Sequence, residues 1–259
     1  MMTTLNVTVC ELHNEPAAFA ADWERLVAHV ASAASELVVL PEMPFYPWFA
    51  TARPFDPAIW QAAIMEHDRW LERLADLAPA IVIGTRPVSA RGRRFNEGFV
   101  WTAQDGYRAT HIKYYLPDED GFWEASWYAR GTGDFSPVQS GAAKIGMLIC
   151  TEIWFSEHAR AYGKAGAHLL ATPRATERAT VEKWLTAGRV AAVASGAYSL
   201  SSNRVGQAGQ VDLGGQGWIV GPDGEVLGLT SRDQPFATRA LDLEAAERAK
   251  STYPRYILE

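Results

Sequence analysis

Cysteine is scarce in this chain: Cys10 and Cys150 are the only two in 259 residues, far apart in the sequence. A disulfide framework is not expected from such a pair, and a reducing compartment suits them better. No apolar run reaches the roughly 20 residues that a membrane span needs. The start, Met1-Met2-Thr3-Thr4-Leu5-Asn6-Val7, lacks a positive cluster and a long apolar stretch, so no signal peptide is expected. These absences predict a cytoplasmic protein with no membrane partner. Clusters of basic residues are missing too, and the formal net charge is −6, so no nucleic acid or polyanionic partner is expected. Linkers rich in proline, glycine or serine, internal repeats and low-complexity segments are all absent. One domain over residues 1–259 is the simplest organisation, and a hydrophobic content of 48% is enough for a large core.

What is present is an alternation of strand-like and helix-period segments, which predicts an α/β fold. Strands are expected at Leu5 to Val9, Leu37 to Leu40, Ile81 to Gly84, Ile145 to Ile149, His168 to Ala171 and Ala197 to Ser201. Helices are expected at Pro16 to Ala34, Pro57 to Ala78, Phe155 to Ala165 with Ser156 as cap, and Thr176 to Ala194. Two hairpins are signalled, one around Gln104-Asp105-Gly106 and one around Gly221-Pro222-Asp223-Gly224. The aromatic, proline-containing tail from Ser251 to Glu259 is expected to dock on a neighbour, at a subunit interface.

Met147-Leu148-Ile149-Cys150-Thr151-Glu152-Ile153-Trp154 is the most informative stretch, because it drives a buried strand into a cysteine. A thiol in the sharp turn at a strand end meets free backbone N–H groups, which favour thiolate character and can hold an oxyanion. An inert buried cysteine fits the local pattern equally well. Two more segments share the format: Val38-Val39-Leu40-Pro41-Glu42 and Thr110-His111-Ile112-Lys113. Alone, Glu42 fits a helix cap or surface acid, and Lys113 a surface lysine. Ligands of open α/β folds bind outside the carboxyl ends of strands, so the three can meet in one cleft. Together they make a nucleophile, a base for its proton, and a cation for the oxygen that becomes negative.

These segments resemble the nitrilase, or carbon–nitrogen hydrolase, superfamily, whose members carry a Glu-Lys-Cys triad at such strand ends. Lys113-Tyr114-Tyr115-Leu116-Pro117 and Gly121-Phe122-Trp123-Glu124 resemble the family segment that adds a second glutamate. The resemblance runs from about Leu5 to about Leu243 and includes the Gly221 to Gly224 hairpin and the Trp184 to Arg189 helix. It implies a four-layer αββα sandwich whose subunits pair as a homodimer or higher oligomer. It also implies Cys150 as nucleophile, Glu42 as base, and Lys113 with the Thr151 backbone N–H as oxyanion hole. Glu124 would orient substrate and Lys113. Neither a cofactor nor a metal is implied, and His111, His158 and His168 lack ligand spacing and read as structural.

Aromatics after Glu42 and Cys150 predict a small or flat apolar pocket for a small amide or nitrile. Tyr46 and Trp154 are candidate lining residues, and Arg174 stands at another strand end; core or interface packing accounts for such rings as well. Members resembling true nitrilases carry Cys-Trp-Glu where this chain has Cys150-Thr151-Glu152, which weakens a nitrile substrate. No arginine directly follows the cysteine, which disfavours carbamoyl amino acids and leaves carbamoyl amines open. The leading expectation is an amidase that makes an acid and ammonia through a thioester. The alternatives are a nitrilase, an N-carbamoyl amine hydrolase, and a non-enzymatic binding subunit with a vestigial site.

Overall fold

The computed structural model describes residues 4–257; Met1 to Thr3, and Leu258 and Glu259 of the tail, lie outside the described residues. The first half supplies β1 (Thr4–His13), α1 (Pro16–Ser32), β2 (Leu37–Val39), α2 (Pro57–Glu72), β3 (Ile81–Ala90), β4 (Arg93–Thr102), β5 (Gly106–Ile112) and the short α3 (Glu124–Trp127). The second half opens with β6 (Val138–Ser140), β7 (Ala143–Met147), α4 (Ser156–Lys164), β8 (Leu169–Arg174), α5 (Val181–Ser195) and β9 (Tyr198–Ala208). It closes with β10 (Val211–Gly214), β11 (Trp218–Val220), β12 (Val226–Leu229), β13 (Phe236–Asp242) and α6 (Leu243–Ala249).

The strand order β5-β4-β3-β2-β1-β9-β8-β7-β6 joins the two halves at β1 and β9. Val7–Val9 of β1 pair in parallel with β2, and Glu11–His13 pair in parallel with β9, so one long strand belongs to both halves. Side-chain alternation along the strands then sets the layers. Val7, Val9, Leu37, Val39 and Ile83 meet Ile145, Met147, Leu169, Ala171 and Leu200 in one buried cluster between the halves. On the outer face of the first half, Val38, Leu40 and Val82 pack under Phe19, Trp23 and Leu26 of α1 and Trp70 of α2. Outside the second half, Leu170 and Val220 pack under Tyr162 of α4 and Ala187 and Ala191 of α5. Each such large apolar side chain contributes about 1.5–3 kcal/mol, which makes helix-sheet-sheet-helix the arrangement that buries every apolar face. The αββα expectation is borne out.

The helix starts follow from local chemistry. Pro16 and Pro57 occupy first turns, where a missing N–H does no harm, and the carboxylates of Glu15 and Asp56 accept the next N–H groups. Gly196 ends α5 in the left-handed region at φ 67°. Several boundaries differ from expectation. The second helix stops at Glu72 and continues as a 3-10 turn, Arg73–Leu77. The helix expected from Thr176 is a 3-10 turn, Arg178–Thr180, followed by α5. Ser156 is the first residue of α4 rather than its cap, and Phe155 at the cap position makes no side-chain bond. β9 runs seven residues past Ser201, because Ser202, Asn203 and Arg204 are polar yet buried.

Arg255 ties the tail to its own chain through Ala249 O, Val193 O and Pro222 O, while Tyr253 and Tyr256 stay exposed. Among the described residues no helix is long and apolar enough to cross a membrane.

Candidate active site

Each of three strand ends is held by backbone pairing before any side chain acts. Past β2, the Glu42 N–H donates to Arg174 O at 3.1 Å, and the Met43 N–H donates to Thr85 Oγ1 at 2.8 Å. Arg204, fully buried on β9, donates from Nε to the Glu42 carbonyl at 2.8 Å. Past β5, the Lys113 N–H donates to Asn96 O at 2.9 Å. Past β7, the Leu148 N–H donates to Ala171 O at 2.9 Å, and Cys150 opens a 3-10 turn, Cys150–Trp154. Met43 and Cys150 both adopt positive φ, 42° and 50°. For non-glycine residues that conformation costs roughly 1–2 kcal/mol, a strain tolerated where a side chain must be aimed sharply.

The side chains converge in a fully buried cluster. Lys113 Nζ donates to Glu42 Oε1 at 2.7 Å and to Glu124 Oε1 at 2.8 Å, and lies 2.6 Å from Glu124 Oε2. Asn96 Nδ2 donates to Glu42 Oε1 at 2.7 Å, while Glu42 Oε2 is buried with no hydrogen-bond partner. Burial opposes charge on Lys113, but Glu124, Glu42 and Cys150 more than offset it and hold the ammonium above its usual proton affinity. Burial, assisted by Glu42, pushes the Glu124 carboxyl up to about 7 against the pull of Lys113. Cys150 departs from expectation. Burial first, then Glu42 and Glu124, push its thiol up, and neither Lys113 nor the Ala175 backbone hydrogen bond reverses this. The group at rest is a thiol, so its proton must leave as the sulfur attacks.

A second buried pair locks two of the strand ends together. Glu152 accepts the Tyr114 N–H at 2.7 Å and the Ile149 N–H at 2.8 Å, and pairs with His111 Nε2 at 2.8 Å. It thereby grips the chain beside both Lys113 and Cys150. His111 is structural, as expected, with Nδ1 on Asp134 O. Glu152→Ala leaves these donors unpaired, and should lose about 2–4 kcal/mol of stability together with most turnover. Urea unfolding and a rate assay check this; a variant with wild-type stability would contradict it.

Cys150, Thr151 and Glu124 open onto a cavity of about 210 Å³, walled by Pro117, Phe122, Trp154, Ala175 and Trp184. Trp154 is thus where it was expected, its ring 5.2 Å from that of Trp184. Tyr46 is not: it lines a separate apolar groove with Phe19, Phe45 and Trp70, because the chain turns away after Met43. Arg174 does not line the pocket either. It is buried behind it, donating to Ser201, Thr176 and the Gln216 carbonyl, with its guanidinium 4.1 Å from the Trp218 ring. Glu119, Glu177 and Lys183 share the cavity wall, and no ion pair engages them among the described residues.

A family model described as carbon-nitrogen hydrolase matches residues 6–251. The chain is a carbon–nitrogen hydrolase. A "Hydrolase in pqqF 5'region" of Pseudomonas protegens is 29% identical, with 96% of this chain and 88% of that protein covered. The chloroplastic omega-amidase of Arabidopsis thaliana is 25% identical, with 98% and 72% covered. A solved carbon-nitrogen hydrolase from Helicobacter pylori G27 has the same fold, with a TM-score of 0.84, 22% identity, and 98% and 94% covered. Membership of that family makes the chain a hydrolase of carbon–nitrogen bonds. Sequence reading missed several residues of its site: Asn96, Glu152, Arg204 and the charged cavity wall. One signal was available, since Asn96 and Arg204 are polar residues inside runs that the fold buries.

Proposed function

We propose that this hydrolase converts a small carboxamide to a carboxylic acid and ammonia through a thioester on Cys150. The observation that carries the reading is the shared cluster. One ammonium bridges two carboxylates, one carboxylate oxygen has no partner, and a buried thiol faces the same cavity. Glu42 takes the thiol proton as Cys150 Sγ attacks the carbonyl carbon. Lys113 and the Thr151 N–H stabilise the oxyanion that develops. Glu42 then passes its proton to the amide nitrogen, the C–N bond breaks and ammonia leaves. Water, deprotonated by Glu42, attacks the thioester, releasing the acid and the thiol. Every proton in this scheme is carried by a side chain or by water.

The mouth argues for the charge of the substrate's far end. Glu119 and Glu177 outnumber Lys183 around the cavity, so a neutral or ammonium-bearing tail is favoured over a carboxylate. Exposed charges are worth about 1 kcal/mol or less, so the preference should be up to about fivefold in kcat/KM. Ammonia release from short amides and carbamoyl amines with neutral, cationic and anionic tails, blanked with Cys150→Ala, tests both points. Faster turnover of the carboxylate-tailed amide would assign the mouth to Lys183. Turnover of nitriles with none of amides would sink the amidase reading.

A further inference from the structure

We propose that Trp154 and Trp184 set the size limit of the substrate: their rings form a partition that confines the acyl chain to the inner cavity beside Cys150 and bars it from a larger outer one. The partition deepens the reading of Cys150 as the nucleophile of an amide hydrolase, and rests on it.

Two cavities meet at this edge of the sandwich. The inner one, of about 210 Å³, is the one onto which Cys150, Thr151 and Glu124 open. The outer one, of about 890 Å³, is lined by Arg93, Arg130, Tyr115 and Phe155, the last two stacked with ring centroids 3.4 Å apart. Pro117, Glu119, Thr151, Trp154 and Trp184 border both. Of these shared residues, only the two tryptophans carry aromatic rings, and their centroids lie 5.2 Å apart at 58°. Rings at that separation are in contact, so no alkyl chain passes between them.

The two halves of the partition are held differently. Trp184 stands in the first turn of α5, where its indole N–H donates to Thr180 Oγ1 at 3.2 Å. From behind, the buried guanidinium of Arg174 lies 5.8 Å from its ring, so this half is anchored to the sheet. Trp154 closes the 3-10 turn that Cys150 opens, and is 47% exposed. The turn that aims the nucleophile therefore also carries one wall of the chamber the substrate must fit. A volume of about 210 Å³ holds roughly seven atoms of the bulk of a water molecule. The carboxamide group takes three of these places, which leaves room for an acyl chain of about four carbons.

Labelling and turnover of the wild type, Trp184→Ala and Trp154→Ala test this. Cys150 is alkylated with iodoacetamide and with its N-propyl and N-hexyl derivatives, each rate being read from the mass of the Cys150 peptide and divided by the rate with free cysteine. Ammonia release is measured on straight-chain amides from acetamide to octanamide. In the wild type the N-hexyl reagent should react at least about 10-fold more slowly than iodoacetamide, and kcat/KM should fall at least about 10-fold from pentanamide to octanamide. In Trp184→Ala both drops should shrink to about threefold or less, because the chain now reaches the Tyr115 and Phe155 rings. Iodoacetamide labelling and acetamide turnover should stay within about threefold of wild type, since the reacting cluster is untouched. Absence of a length limit in the wild type, or an unchanged limit in both variants, would overturn the proposal. So would an equal loss on every substrate, which assigns the rings to general support. If Trp184→Ala fails to fold, Trp154→Ala decides, because its side chain is half exposed: an unchanged limit in it is fatal. Labelling does not depend on turnover. If no amide is hydrolysed while the labelling limit stands and relaxes, the amidase reading has failed and the partition holds; if amides of every length are hydrolysed alike, only the partition has failed.

Discussion

Cys150→Ala should lower turnover by at least about 10⁴-fold while leaving the fold intact. In the proposed reaction the sulfur forms the bond on which both halves depend, and the other thiol cannot replace it. Cys10 lies in the outer core of the first half, sealed beneath α1 and α2. Alanine adopts the same backbone at φ 50° with no more strain than cysteine, and the lost atom borders a cavity, so stability should fall by only about 1 kcal/mol. Because the resting group is a thiol, Glu42→Gln should be nearly as damaging: it removes the acceptor without which no thiolate forms. Iodoacetamide should label Cys150 well before Cys10. Ammonia release and thermal unfolding of the purified variants provide the check. Residual Cys150→Ala activity above about 1% of wild type, or equally slow labelling of both thiols, would sink the assignment of the nucleophile.

Lys113→Met should abolish turnover and also destabilise the protein by about 3–5 kcal/mol at pH 8, because it strands two buried carboxylates on each other. The size of that loss should depend on pH. With Lys113 present, burial and Glu42 already push Glu124 up to about 7. Without the ammonium, the proton affinity must rise further in the folded state, while an unfolded glutamate stays near 4.3. A group whose folded value is raised contributes its stability below the unfolded value and loses it as pH rises through the folded one. The deficit should therefore be small near pH 5 and largest at pH 8. Urea unfolding at both values decides the matter. An equal deficit at each pH would show that shape, not charge, had been lost.

Much of this arrangement was legible because it is written in local patterns. Proline with an acidic residue before it marked the starts of α1 and α2, and apolar runs marked β1, β2 and β7. The strand-end positions of Glu42, Lys113 and Cys150 were legible for the same reason, since each apolar run stops at its chemical residue. Elements held by distant partners were not. β13 buries only two apolar residues, Ala237 and Leu241, and exists because it pairs antiparallel with β1, and the polar end of β9 is a strand because β1, β8 and β10 satisfy it. Tyr46 looked like a pocket residue by its closeness in sequence to Glu42, and Arg174 by its place at a strand end. A reversal of the chain after Met43 takes the first away, and buried acceptors around the second hold it in the wall.

By itself, then, the sequence determined the α/β alternation and the strand-end positions of Glu42, Lys113 and Cys150, since side-chain period and residue chemistry are properties of short segments; the four layers followed from the family resemblance. Tertiary structure alone decided the protonation of those side chains. The Cys150 thiol, the Glu124 carboxyl and the Lys113 ammonium take their charge from burial and from one another, across separations no local pattern encodes. The shape of the cavity and the link from Glu152 to both sides of the site were decided in the same way. They exist only once three strand ends, far apart along the chain, are brought to one edge of the sandwich.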